Sequence, residues 1–134
     1  FTAVSIAAAG ATPKFADVDP ETLQVNPDDL GNRLTKRSAA LVPVHLYGQP
    51  NAIHRIAKLS RLPLVQDACQ AHGALAQGKK PFSAFGDYVA YSFYPTKNLG
   101  CLGDGGAIVT NKAKVAQRLR QLRDGGRLPG TQLS

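Results

Sequence analysis

Cysteine is scarce, long apolar runs are missing and acids are outnumbered, and each shortage removes a class of protein. Two cysteines, Cys69 and Cys101, in 134 residues are too few for a disulfide framework. The compartment they suit is a reducing cytoplasm. No apolar stretch approaches the ~20 residues of a membrane-spanning helix. Thr2 to Ala11 is apolar and small-residue-rich, like a signal-peptide core. It has no basic segment before it and runs straight into strand-like sequence, so it is read as part of the fold. There are no internal repeats and no low-complexity tracts. Charged residues at 19% against 43% hydrophobic exclude a disordered chain and fit a globular soluble one.

The length is that of one ordinary domain, enough for a real core. The sequence opens on Phe1 rather than Met and ends at Thr131-Gln132-Leu133-Ser134 with no clear stop, as a fragment of something longer would. Net charge is +7. Much of the excess falls in Lys112, Lys114, Arg118, Arg120, Arg123 and Arg127, against Asp124 alone. A nucleic-acid or phosphate partner would use such a stretch. No aromatic residues interleave with these charges as a single-strand platform requires. The reading adopted is the solvated face of a C-terminal helix.

Short apolar runs alternate with helix-like segments, the pattern of a parallel α/β sheet. Ala3 to Ala9 reads as a helix stopped by Gly10, and Thr12 to Val18 as a strand before the turn Asp19-Pro20. Asn26 caps a helix that starts at Pro27, with Asp28 and Asp29 in its first turn, and runs to about Leu34. Ala39 to Val44 is a strand buried on both faces. Pro50 to Leu59 is a helix with Ile53, Ile56, Ala57 and Ser60 inward. Leu62 to Val65, Tyr88 to Phe93 and Ala107 to Thr110 are further strands. Asn111 caps a last helix whose Val115, Leu119 and Leu122 form one apolar stripe, ended by Gly125-Gly126.

Two residues carry the chemistry. Asp67 lies just past the strand Leu62 to Val65, and ligands gather at the carboxyl ends of strands in α/β sheets. Lys97 stands in Ser92-Phe93-Tyr94-Pro95-Thr96-Lys97-Asn98, just past another strand. An acid and an amine so placed suit pyridoxal phosphate, which needs an amine for a Schiff base and a carboxylate to keep its ring nitrogen protonated. Hydroxyls near such a lysine suit a phosphate. The bland alternatives are an Asp capping the next helix and a surface lysine. Gly100 to Gly106 matches neither a P-loop nor a dinucleotide fingerprint, and lies before a strand. It is read as a tight, closely packed turn with no phosphate role. Cys69 and His72 lack a second pair at zinc spacing, so metal is set aside. Ser92 lacks the Gly-x-Ser-x-Gly elbow of a hydrolase nucleophile.

Taken together, the segments resemble the DegT/DnrJ-type sugar aminotransferase family. The matching stretches are Gly10-Ala11-Thr12-Pro13 with Asp17-Val18-Asp19-Pro20, Pro43 to Gly48, Asp67 to Gly73, Phe85-Gly86-Asp87, Ser92 to Gly100, Gly103 to Ala107 and Leu122-Arg123. The resemblance implies the fold of type I pyridoxal-phosphate transferases: a three-layer α/β/α sandwich on a mostly parallel sheet. Residues 1–134 would be part of its large domain, without an N-terminal segment or the C-terminal small domain. It implies that Lys97 forms the Schiff base and shuttles a proton, that Asp67 holds the pyridine nitrogen, that Gln70 contacts the phenolic oxygen and that Ser92 contacts the phosphate. It implies transfer of an amine from an amino acid, glutamate in much of the family, to a nucleotide-linked keto-sugar. The setting implied is a cytoplasmic homodimer with no nucleic-acid or membrane partner. A non-catalytic remnant or interaction module lacking a complete site is the competing reading. A basic nucleic-acid-binding domain is a third.

Overall fold

The computed structural model describes residues 1–76, 78 and 81–127; the expected open end at Thr131 to Ser134 lies outside them. Among the described residues, the helices are α1 (Thr2–Ala8), α2 (Pro27–Asn32), α3 (Ile53–Leu59) and α4 (Ala113–Arg123). The strands are β1 (Val65–Asp67), β2 (Tyr88–Ser92) and β3 (Gly106–Val109). Short 3-10 turns occupy Leu46–Gly48 and Phe82–Ala84.

The sheet order is β1-β2-β3, with β1 and β2 parallel and β2 and β3 antiparallel. Residues 41–44 lie parallel to β1 on its other side, through Leu41 opposite Leu64 and Val44 opposite Asp67. The backbone ladder is regular: Leu41 N–H donates to Pro63 O, Val65 to Leu41, Asp67 to Pro43 and His45 to Asp67, each at 2.9 Å. Pro43 and Pro63 have no N–H to contribute, so this pairing is made of separate bridges rather than a continuous strand. The α/β fold with a mostly parallel sheet is as expected.

Several elements differ from the expectation. β1 runs from Val65 to Asp67 rather than Leu62 to Val65, because the ladder starts after Pro63 and continues until Asp67 pairs with Ala90. Asp67 is thus the last residue of its strand, not a residue beyond it. Thr12 to Val18 forms no strand: its one bridge is Val18 to Val25, and Phe15 stays 71% exposed. With no neighbouring strand among the described residues, its backbone turns elsewhere, as when Asp17 N–H donates to the Asp29 carboxylate at 2.6 Å. Asn111 does not cap α4 with its side chain; its amide donates to Ser83 O at 2.8 Å, and Lys112 holds the cap position. The apolar stripe of α4 is likewise not buried, with Leu122 55% exposed.

Asn26 behaves as its sequence position demands. Its side chain accepts from Asp28 N and Asp29 N at 2.9 and 3.3 Å, satisfying donors that α2 leaves unpaired. α3 starts at Ile53, with Ala52 at its N-cap. Ile53 and Ile56 are fully buried and, with Leu41, Leu64, Phe82 and Val89, form one core on the sheet face that also carries Gln66. Each large buried side chain there contributes about 1.5–3 kcal/mol of transfer free energy. Alternation along β1 puts Asp67 on the opposite face, where Thr2 of α1 reaches it. The sheet therefore has helical elements on both faces.

The core also holds a polar chain. His45 is fully buried and stacks on Phe82 at 3.9 Å between ring centroids. Its Nδ1 accepts from Asn51 N–H at 3.1 Å, which puts the ring proton on Nε2 facing Gln66 Oε1 at 3.2 Å. Gln66 in turn donates to Phe82 O at 2.9 Å. Burial lowers the His45 pKa, against the raising effects of Gln66 and Asp67, and the ring is neutral.

Candidate active site

β1 and β2 run parallel, so both deliver their C-terminal residues to the same edge of the sheet. Asp67 ends β1 and Ser92 ends β2. Asp67 pairs with Ala90, and Ser92 lies two residues further along β2, on the same face by alternation. Gln70 follows β1 in a turn, and Lys97 sits in the turn after β2, its N–H donating to Tyr94 O at 2.9 Å. Tight packing holds this second turn. A Cβ on Gly100 would lie 2.5 Å from Pro95 O, which accounts for glycine there.

An open cavity of about 320 Å³ is lined by Tyr47, Gln70, Thr96, Lys97 and Asn98. Of the residues singled out from the sequence, Gln70 and Lys97 line it together. Asp67 and Ser92 do not line it; they lie at the adjoining strand ends. Lys97 is half-buried and close enough for its charge to act on both Asp67 and Cys69.

Asp67 is half-buried, and burial by itself would raise its pKa. Hydrogen bonds from Thr2 and Cys69, together with the Lys97 charge, outweigh burial and hold the carboxyl below its ordinary value. Thr2 Oγ1 donates to Oδ2 at 2.6 Å and Cys69 N–H to Oδ1 at 3.1 Å. Beside this anion the Cys69 thiol is pushed up to about 11, by burial first and then by Asp67. Gln70 is oriented by Tyr47, whose N–H donates to Oε1 at 2.9 Å. That contact fixes which end of the amide is the acceptor and leaves its N–H₂ end as the donor. Tyr47 makes it from a left-handed backbone, φ +58, a costly conformation for a residue with a side chain. Gly48 follows at φ +80, and a Cβ there would lie 3.0 Å from Gln70 O. Ser92 Oγ accepts from Tyr94 N–H at 3.2 Å.

Thr2, Tyr47 and the Cys69 amide were not legible as site components. Thr2 belongs to a small-residue helix with no local signal, and Tyr47 lies inside the matching stretch Pro43 to Gly48 but has no role of its own in the sequence reading. Thr96 and Asn98 flank Lys97 and share its turn. Among the described residues, no three His, Cys, Asp or Glu side chains are grouped to hold a metal ion, and no helix is long and apolar enough to cross a membrane.

The sequence model of the DegT/DnrJ/EryC1/StrS aminotransferase family matches residues 1–133. Over 131 residues the chain is 46% identical to a pleiotropic regulatory protein of Geobacillus stearothermophilus, covering 96% of this chain and 35% of that protein. It is 43% identical over 126 residues to a dTDP-3-amino-3,4,6-trideoxy-alpha-D-glucose transaminase of Streptomyces venezuelae, covering 92% and 33%. The crystal structure of S. venezuelae DesV in complex with a ketimine intermediate matches with TM-score 0.90 at 39% identity, covering 99% of this chain and 37% of that one. That of NtdA from Bacillus subtilis with bound cofactor PMP matches with TM-score 0.84 at 28% identity, covering 98% and 30%. The chain spans about a third of the length of the relatives it matches. Matched along nearly its whole length, it belongs to the DegT/DnrJ/EryC1/StrS aminotransferase family.

Proposed function

We propose that the intact protein is a pyridoxal-phosphate-dependent aminotransferase that moves an amine from an amino acid, glutamate in the simplest case, to a nucleotide-linked keto-sugar. These 134 residues form part of its large domain. The observation that carries the reading is the set at the ends of β1 and β2: Lys97 and Gln70 on one cavity, with an ionised Asp67 within reach of the Lys97 charge. The donor set fits the cofactor. A carboxylate held ionised can accept from a ring N–H⁺, an amide N–H can donate to a phenolate, and a primary amine can bind an aldehyde.

Lys97 would hold the cofactor through Nζ and carry the proton that moves during transfer, as general base and then acid. Asp67 would hold the ring nitrogen, Gln70 the phenolic oxygen and Ser92 the phosphate. When bound, pyridoxal phosphate supplies an electron-withdrawing ring that stabilises negative charge at the neighbouring carbon. The transaminase from S. venezuelae and the PMP-bound B. subtilis structure support the aminotransferase activity and the choice of cofactor. A homodimer in the cytoplasm, with no nucleic-acid or membrane partner, completes the proposal; free Cys69 and Cys101 suit that compartment.

Borohydride reduction of the intact protein should remove its visible absorbance and leave the cofactor's mass on the peptide containing Lys97. Lys97→Ala should reduce turnover to background. A Lys97→Ala protein that still transaminates refutes the assignment.

A further inference from the structure

No residue of α1 is buried. One hydrogen bond nevertheless ties it to the sheet: Thr2, its first residue, donates from Oγ1 to Asp67 Oδ2 at 2.6 Å, 65 positions away in sequence. The other hydrogen bonds of α1 among the described residues stay within residues 1–11. A threonine hydroxyl at a helix start commonly bonds neighbouring backbone. This one instead reaches the acid that ends β1. Its length is that of an O–H donor on an ionised carboxylate, the stronger kind of hydrogen bond.

Asp67 has donors on both oxygens, Thr2 on Oδ2 and the Cys69 amide on Oδ1. One donor on each oxygen fixes the plane of the carboxylate. A carboxylate has about four lone-pair sites, so further sites stay open to another donor. The amide is backbone and present whatever the side chain. The hydroxyl is the part that a substitution can remove.

Building on the aminotransferase reading, we propose that Thr2 is a positioning residue: its hydroxyl sets the orientation and the charge of Asp67, so that a protonated ring nitrogen meets an anion already in place. Preorganisation of this kind spares the carboxylate from reorienting as the cofactor binds. The titratable groups around Asp67 are Lys97 in the turn after β2, Cys69 in the turn after β1 and His45, which senses the Asp67 charge from the core side. Lys97 and the Cys69 amide stay in place when Thr2 is changed, so a shift in Asp67 then reports the hydroxyl.

The test uses the intact protein with Thr2→Val, which keeps the branched shape without the hydroxyl, and Thr2→Ser, which keeps the hydroxyl. The Asp67 carboxyl is titrated by 13C NMR without cofactor, and pyridoxal phosphate affinity is measured by absorbance titration. Thr2→Val should move the Asp67 titration to higher pH and weaken cofactor binding roughly 10- to 100-fold, the range for a hydrogen bond to a charged group. Thr2→Ser should restore both. An unmoved Asp67 titration in Thr2→Val, or a serine variant that behaves like valine, overturns the inference. Thr2→Ala gives the same comparison should Thr2→Val not fold. Wild-type protein that takes up no pyridoxal phosphate refutes the aminotransferase reading, and the carboxyl titration then decides the role of Thr2.

Discussion

Gln66→Leu puts a number on the polar chain beneath the site. Gln66 is fully buried and joins His45 to the Phe82 turn, accepting from one and donating to the other. Leucine has similar volume and no hydrogen-bonding group. The His45 Nε2–H would then be buried without a partner, at a cost of about 1–3 kcal/mol. Phe82 O keeps its bond from Phe85 N–H at 2.9 Å, so only a second bond of about 0.5–1.5 kcal/mol is lost there. The expected loss is about 2–4 kcal/mol for opening β1. In the intact protein this is read by hydrogen exchange of the peptide spanning 64–68, whose rates should rise roughly 30- to 1000-fold where local opening governs exchange. Adding His45→Phe should cost less than the sum of the single changes, because each single change leaves a group that the double variant removes. Exchange unchanged within about threefold in Gln66→Leu would refute the claim that this chain anchors the strand carrying Asp67.

Asn26→Ala removes the acceptor for Asp28 N–H and Asp29 N–H, and should cost about 1 kcal/mol, measured as a lower urea midpoint with an unchanged slope. A variant as stable as wild type would show that α2 does not depend on its cap. Cys69, pushed up to about 11, should be only about 0.1% thiolate at pH 8, so iodoacetamide should modify the exposed Cys101 first. Mass spectrometry showing Cys69 modified as fast as Cys101 would contradict the environment described for it.

Elements with a strong local signal were legible. α2 carries its own start signal in Asn26-Pro27-Asp28-Asp29, and β2 its β-rich apolar run. The inward set Ile53 and Ile56 follows helical spacing and is fully buried. Misplaced elements were those decided by neighbours. Thr12 to Val18 has strand composition but no strand to pair with among the described residues, and β1 ends at Asp67 because its partner continues to that point. The α4 stripe has the right period but is only partly covered, with Val115 and Leu119 half-buried and Leu122 exposed. Periodicity states what a segment can bury, while the ladder and the packing depend on residues far away in sequence.

The same division holds at the candidate site. Chemical type is a local property, and so Asp67 and Lys97 could be singled out from their surroundings, with Gln70 and Ser92 added as candidates by the family resemblance. The parallel pairing of β1 with β2 brings their ends together, a hydroxyl 65 positions away sets the carboxylate, and Tyr47 fixes the amide of Gln70. A side chain's reactivity depends on its orientation and on the charges and dipoles around it, and those are relations between distant residues. The order of residues makes the groups available; which of them meet, and in what charge state, follows from the fold.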